Sequence, residues 1–522
     1  MILLQAHDIK QYVGDKLLLD IKQLEIHQND RIGLVGRNGS GKTTLLEILS
    51  GNRIPEKGKV IHHTICDLLP QFKRQDPKKS GGEVTQEYIR NAMVKAPELI
   101  LADEPTANLD GDHIEWIENI FKHWQGTFVL VSHDRKILDA LCTTIWELHE
   151  GKIKKYFGNY SQYMKNKELE TRQQIEVYGQ YEKKKKQLEE ALRLKERKAE
   201  RATKKPKKTS ASEAKGAKPY FAKKQKKLQK AAKAIETRIE KLEKVNKVRE
   251  IPPLKMDLPN EHAFKDRIIL RVEDVEGKMG DRILWKKANF QVRGGDKLAI
   301  IGPNGSGKTT FVKMILNKTK GITISPAVKI GYFSQDLNIL EPKKSIIENV
   351  KISSRQNETF IRTILARMHF FRDEVYKEVQ MLSGGERVKV ALAKIFLSDI
   401  NTLVLDEPTN FLDTEAVEAL ESLLKEYEGT VIFVSHDRRL IENVATKIVE
   451  IRNQTVHYFD GTFDEYRAAH LAATQKQIDE HLLLLEMKIS EVLSRLSEEP
   501  SDELEREFQE LLKKKRVLKG EY

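Results

Sequence analysis

The stretch Gly36–Thr43 reads GRNGSGKT, and it returns as GPNGSGKT at Gly302–Thr309. The first copy leaves an apolar β-branched run, RIGLVG, and opens onto the helical pattern KTTLLEILS. A strand, a glycine-rich turn and a helix start in that order make a phosphate cradle. The glycines let backbone N–H groups wrap the anion, and the helix dipole favours it. The candidates for ATP binding are therefore Gly36, Arg37, Asn38, Gly39, Ser40, Gly41, Lys42, Thr43 and Thr44. Their second-copy counterparts are Gly302, Pro303, Asn304, Gly305, Ser306, Gly307, Lys308, Thr309 and Thr310. Lys42 and Lys308 are placed to reach the β- and γ-phosphates, and Thr43 and Thr309 to ligate Mg²⁺.

Four further elements follow each loop in the same order. A glutamine comes first (Gln71, Gln335), then an SGGE run: Ser80, Gly81, Gly82 and Glu83, repeated as Ser383, Gly384, Gly385 and Glu386. A DEP run and a histidine (His133, His436) complete the series. Asp103 and Asp406 each end an apolar strand pattern, ELILAD and TLVLD, where a carboxylate can hold the metal through water. The adjacent Glu104 and Glu407 are candidates to polarise the attacking water. His133 and His436, each ending a VSH strand, can contact the γ-phosphate. One phosphate-loop match is moderately specific; two, each trailed by the same four elements, leave little room for coincidence.

The repeat also sets the domain organisation. The two loop lysines are offset by 266 residues and the glutamines by 264, but from the SGGE run onward the offset is 303. The jump of 39 falls between glutamine and SGGE, so the first copy has lost most of an inserted helical segment that the second keeps. Apolar runs alternating with helical patterns predict parallel strands with crossover helices. The expected fold is α/β: two P-loop ATPase domains in tandem at 1–164 and 258–470. A helical-hairpin linker at 165–257 joins them, and a helical extension follows at 471–522. GNYSQY at Gly158–Tyr163 and GTFDEY at Gly461–Tyr466 extend the repeat beyond the cassettes.

The linker carries the charge. Lys183–Arg249 holds 26 Lys/Arg against 8 Asp/Glu, a net +18, whereas the 522-residue chain is only +13. Clustered Lys/Arg without balancing acids points to phosphate neutralisation on a nucleic acid; the plainer alternative is a solvated charged hairpin. The candidate RNA contacts are Lys183, Lys184, Lys185, Lys186, Lys204, Lys205, Lys207, Lys208, Lys215, Lys218, Lys223, Lys224, Lys226 and Lys227. A helix from about 165 to 203, roughly 50 Å long at 1.5 Å per residue, carries Leu188, Leu192 and Lys195 at helical spacing. A second helix presents Leu228, Ala232, Ile235, Ile239 and Leu242 on one face. Thr209–Lys218 is the expected tip; Tyr220 and Phe221 either stack on bases or pin the tip.

In the tail, Ile478, Leu482, Leu485, Ile489, Val492 and Leu496 run at spacings of four and three. Leu504, Phe508 and Leu511 resume the pattern after SEEPSDE. A hairpin packed on itself or on a cassette is expected, with partner binding the alternative. Two cysteines exclude a disulfide framework and iron–sulfur or cysteine-zinc sites. No run reaches the length needed to cross a bilayer, so the chain reads as soluble and cytoplasmic, without a membrane partner of its own.

The SGGE runs with LADEPTANLD and LDEPTNFLD resemble ATP-binding cassette domains. The resemblance implies that the two cassettes close head to tail on two ATPs, within a monomer. Lys42 would share one nucleotide with Ser383 and Lys308 the other with Ser80. It makes Gln71 and Gln335 the Q-loops and Asp110 and Asp413 the D-loops. It also makes Tyr12 the aromatic that stacks on adenine, unless Tyr12 is an edge-strand core residue; Lys278 stands opposite it in the second copy. With neither cassette interrupted by the linker, the whole chain resembles the F-type (ABC-F) branch. Its shortened PQFKRQDPKKSGGEVTQEYIRNA, the linker stretch RATKKPKK…KGAKPYFAKKQKKL, RMHFFRDEVYK and EVLSRLSEEPS are similar to the Vga/VmlR-like antibiotic-resistance members. That likeness implies a ribosome protection factor bound near the tRNA exit site, with 23S rRNA and P-site tRNA as partners. Its linker tip would protect the peptidyl-transferase centre from lincosamide, streptogramin A and pleuromutilin drugs. The competing expectations are an ATP-hydrolysing subunit of a drug transporter and a general translation factor.

Overall fold

The phosphate loops sit at the carboxyl ends of two central parallel strands. The computed structural model describes residues 1–71, 81–95, 97–106, 109–201, 218–242, 266–334, 339–410, 412–498 and 501–519. In the first cassette β1 (Ile2–Val13) pairs antiparallel with β2 (Lys16–His27) and with β4 (Lys57–His62). The larger sheet holds β3 (Arg31–Val35), β5 (Cys66–Leu69), β6 (Leu99–Asp103), β7 (Thr127–Val131), β8 (Thr144–His149) and β9 (Lys152–Phe157). Its order is β5-β6-β7-β3-β8-β9. Every residue of β6 and β7 is buried, as continuous apolar runs covered on both faces should be. The crossover helices are α1 (Lys42–Leu49), α2 (Gly81–Val94), α3 (Gly111–His123) and α4 (Arg135–Leu141).

The second cassette repeats the arrangement, with the β1–β2 hairpin broken up. β10 (Ile268–Val272), β13 (Phe290–Arg293) and β15 (Ile322–Ile324) form one small sheet, and β11 (Gly277–Met279) with β12 (Arg282–Trp285) another. The large sheet contains β14 (Lys297–Ile301), β16 (Ile330–Phe333), β17 (Thr402–Asp406), β18 (Thr430–Val434), β19 (Lys447–Arg452) and β20 (Thr455–Asp460). Its order, β16-β17-β18-β14-β19-β20, is that of the first cassette strand for strand. After the phosphate loop comes α7 (Lys308–Leu316), by a numbering that leaves α5 and α6 for the linker. Among the described residues it is only here that α8 (Ile346–Lys351), α9 (Glu358–Arg367) and two 3-10 turns at Arg372–Tyr376 and Val379–Met381 precede the SGGE helix, α10 (Gly384–Phe396). Ile346, Val350, Ile361, Ile364, Leu365 and Met368 bury this insert against α10. α11 (Thr414–Glu426) and α12 (Arg438–Val444) complete the cassette.

The chain divides into two compact units: Met1–Lys155 together with Pro253–Tyr522, and Tyr156–Pro252. The second unit holds α5 (Tyr160–Arg201), 42 residues and so about 63 Å long, and α6 (Lys218–Glu240). The two helices pack on one another along a thin seam. Ala199 and Ala232 are buried, and Leu188, Leu192, Leu228, Ile235, Ile239 and Leu242 half-buried. Helix α5 starts earlier than the pattern predicts, because Tyr156, Tyr160 and Tyr163 cluster there, with ring centroids 5.0 and 5.6 Å apart.

The first unit ends in α13 (Phe463–Glu498) and α14 (Asp502–Lys519), a hairpin packed on itself through Leu485, Val492 and Leu511 with Ile489, Leu504 and Phe508. The repeated GNYSQY and GTFDEY are helix starts. Asn159 Oδ1 accepts from Gln162 N at 3.1 Å, and Glu465 Oε2 accepts from Thr462 N at 2.8 Å, each a cap on the helix that follows.

Candidate active sites

Each phosphate loop is shaped by glycines that no other residue could replace. Gly41 (φ 99°) and Gly307 (φ 102°) cap α1 and α7 in the left-handed region. A Cβ on Gly36 would lie 2.6 Å from the Leu148 carbonyl oxygen, and one on Gly302 2.3 Å from that of Ile451. Lys42 Nζ donates to the carbonyls of Gly36 (2.7 Å) and Arg37 (3.2 Å), and Lys308 Nζ to those of Gly302 (2.9 Å) and Pro303 (3.0 Å). Burial holds both lysines below their ordinary pKa, opposed mainly by Glu104 at one and Glu407 at the other. Ser40 Oγ and Ser306 Oγ are buried with no hydrogen-bond partner in the protein, which fits hydroxyls that would donate to a phosphate oxygen.

The first loop opens on a cleft of about 390 Å³. It is lined by Asn38, Gly39, Gly41, Lys42, Thr43 and Thr44 together with Gln71, Asp103, Glu104 and His133, residues that the sequence pattern had grouped. Thr309 Oγ1 donates to Asp406 Oδ1 at 3.3 Å, and Thr43 bonds Asp103 in the same way. Burial pushes both aspartates above the usual carboxylate range, and Asp103 Oδ2 has no partner.

The next residue in each copy is held in a backbone conformation that non-glycine residues rarely adopt: Glu104 at φ 48° and Glu407 at φ 49°. The same unusual conformation recurs at one position in both copies. His133 Nε2 lies 3.2 Å from Glu104 Oε1, and its backbone N donates to Glu104 Oε2 at 3.1 Å. His436 Nε2 lies 3.2 Å from Glu407 Oε1. In the second copy burial pushes Glu407 up to about 7. Burial, with the Lys308 charge, drives His436 down to about 3, so this histidine is neutral while its glutamate titrates near neutrality.

The cassettes meet head to tail. Asn38 N donates to Asp413 Oδ2 at 3.3 Å, and Asn304 N to Asp110 Oδ2 at 2.8 Å, so each copy's D-loop aspartate grips the other copy's phosphate loop. Arg135 forms an ion pair with Glu421 at 2.9 Å across this contact, and Arg438 donates to the Gly111 carbonyl at 2.8 Å. A cavity of about 560 Å³ brings Asn38, Gln71, Glu104 and His133 together with Gly385, Asn304, Glu407 and His436. The SGGE run has a local cause as well. Ser383 caps α10, accepting from Glu386 N at 3.3 Å, while the Glu386 carboxylate accepts from Ser383 N at 2.8 Å.

Gln335, Ser80, Lys204, Lys205, Lys207, Lys208 and Lys215 lie outside the described residues. Gly81, Gly82 and Glu83 open α2. Tyr12 is half-buried on β1, its N–H donating to Glu56 at 3.2 Å, while Val13 and Leu18 line the cleft beside it. Lys278 pairs with Glu276 at 2.9 Å. Lys183, Lys184 and Lys186 are exposed on α5 and Lys223, Lys226 and Lys227 on α6; Lys185 approaches Glu189 at 3.8 Å, and Lys218 and Lys224 are helical. Sequence reasoning missed Arg135, Lys389 and His113, which bind the D-loops and the cassette contact. At the offset of 303 the copies differ at the last two positions, but only the fold shows what these side chains touch.

Two sites of this construction define an ATP-binding cassette ATPase. Residues 19–79 and 285–410 match the family model described as ABC transporter. The ribosome protection protein VmlR of Bacillus subtilis (strain 168) is 30% identical, over 98% of this chain and 97% of that protein. The erythromycin resistance ATP-binding protein MsrA of Staphylococcus epidermidis is 31% identical, over 87% of this chain and 98% of that protein. Among solved structures, the RNase-L inhibitor shares the fold with a TM-score of 0.59 at 18% identity, over 90% of this chain and 93% of that one. The chain belongs to the ABC-F family of ATP-binding cassette proteins, and it is an ATPase.

Proposed function

We propose that this ATPase binds the ribosome and uses its basic hairpin to protect the peptidyl-transferase centre from lincosamide, streptogramin A and pleuromutilin antibiotics. The observation that carries the reading is the net +18 concentrated in Lys183–Arg249, with lysines exposed on both α5 and α6. Such a surface suits rRNA and tRNA phosphates. No helix among the described residues is long and apolar enough to cross a membrane. The first cassette, among its described residues, also lacks the helical insert of the second. The missing insert favours a ribosome-binding protein over a transporter subunit, and the relatives' printed names point the same way; on this reading the protein is a cytoplasmic monomer.

In this reading ATP closes the two cassettes and hydrolysis opens them. ATP can bias ribosome binding only through a difference in affinity between the open and closed forms. Lys42 with Ser383, and Lys308 with Ser80, hold the two nucleotides. Glu104 and Glu407 polarise the attacking waters, with Gln71, Gln335, His133 and His436 sensing the γ-phosphate. Thr43 with Asp103, and Thr309 with Asp406, would hold Mg²⁺, which neutralises charge on the phosphate oxygens.

Purified protein added to cell-free translation containing a lincosamide should restore synthesis, and expression in cells should leave drug accumulation unchanged. Reduced accumulation would favour a pump. Ribosome binding without rescue would leave a general translation factor.

A further inference from the structure

The two D-loop aspartates do the same thing to the opposite phosphate loop but are themselves held by different partners. Asp413, 3% exposed, is paired with Lys389 Nζ at 3.3 Å, and Lys389, 7% exposed, stands on α10. Asp110, also 3% exposed, is held by His113 Nδ1 at 2.5 Å, one turn along its own helix α3. At the offset of 303, Gln86 stands where the second copy has Lys389, and Ala416 where the first has His113. Each copy therefore has a side chain that can carry positive charge at one of the two positions and a neutral one at the other.

The choice of partner changes what moves together. Helix α10 begins at the signature, and Gly385 lines the cavity that also holds Asn38 and Glu104. The Lys389–Asp413 pair therefore ties the second copy's signature helix to its D-loop, the two elements that face the Lys42 nucleotide. Breaking a pair this deep would leave a buried carboxylate without its counter-charge, held only by the backbone N–H groups of Asn38 and Ala416, which favours the two elements shifting as one. On the other side His113 ties Asp110 to α3, and Gln86 on α2 offers Asp110 no charge. There, among the described residues, Asp110 is steadied by His113 on its own helix and by the Asn304 N–H of the opposite loop.

We infer that Lys389 is a positioning residue for hydrolysis at the site built on Lys42, and that His113 plays that part at the site built on Lys308. The two ATP sites are thus coupled to cassette closure by different chemistry. This rests on the site assignment made under the proposed function.

The test reads each site alone by single-turnover and steady-state phosphate release, in Glu407→Gln protein for the Lys42 site and in Glu104→Gln protein for the Lys308 site. If neither parent substitution lowers release from wild type, the site assignment itself fails. With the parents behaving as assigned, Lys389→Met should lower kcat roughly tenfold in Glu407→Gln protein with ATP KM moved less than about twofold, as expected for a lost orienting contact. The loss should be at least about fivefold smaller in Glu104→Gln protein, and Lys389→Arg should restore most of the rate. His113→Ala should give the mirror pattern. Equal losses in both backgrounds, or a change in KM alone, would overturn the inference, as would failed rescue by Lys389→Arg in protein that still melts cooperatively. Should Lys389→Met not fold, His113→Ala decides: a loss confined to the Lys308 site supports the inference, and any other pattern refutes it.

Discussion

The two cassettes share a strand order, a set of motifs and a mutual grip, yet they are not equivalent. The first has its phosphate loop marked by Arg37, which pairs with Glu415 of the second at 2.8 Å; the second has Pro303 there and cannot return the contact. Only the second keeps, among the described residues, a helical insert between β16 and the signature helix. Their cross-cassette arginines differ in burial. Arg135 reaches Glu421 at 2.9 Å with its side chain 3% exposed, whereas its counterpart Arg438 reaches Glu118 at 3.5 Å and is 13% exposed. The lesson is that duplication preserved the chemistry that phosphate transfer requires and let the surrounding contacts diverge.

The sharpest way to break this comparison is at the glutamates. Glu104→Gln and Glu407→Gln should each lower phosphate release from their own site by about a hundredfold or more. Measured singly and together, they show whether the sites fire independently; a single substitution that abolishes all turnover means that they do not.

Next is the contact between cassettes. Arg135→Met leaves Glu421 and Asp437 without their cross-cassette partner and should cost about 3–5 kcal/mol in urea unfolding. Arg438→Met, in a wetter place, should cost clearly less, about 1–2 kcal/mol. Equal costs would mean that the difference in burial carries no energy.

A third prediction separates the sites by pH. The polarising form of Glu407 is the carboxylate, and burial raises its pKa to about 7. The active form is therefore present above that value and lost below it. In Glu104→Gln protein, phosphate release should fall about tenfold from pH 8 to pH 6. A flat profile over that range would show that Glu407 does not titrate there. The smallest effect belongs to Arg37→Ala. Its ion pair is half exposed, and losing it should move stability by less than about 1 kcal/mol and become undetectable in high salt.

Much of this was legible from the sequence because nucleotide chemistry demands fixed residue types at fixed spacings. Lys42, Thr43, Asp103, Glu104 and His133 converge on one cleft as the pattern required. The repeat revealed the missing insert, since an offset jump can be read without coordinates. Other features needed the fold. Glu386 belongs to the SGGE run by pattern, but its carboxylate bonds back to Ser383, a capping box visible as S-x-x-E only once α10 is known to start there. Lys389 and His113 gain meaning from packing across and along helices, which neither periodicity nor spacing encodes. The linker helix outran its expected start because three tyrosines, spaced three and four apart, close its base.

The most direct test of the account is co-sedimentation of Glu104→Gln/Glu407→Gln protein with ribosomes in ATP. The protein should pellet with ribosomes, its affinity falling steeply with salt, and neutralising the exposed lysines of α5 and α6 should flatten that dependence. Protein left in the supernatant at low salt with ATP present would contradict the account.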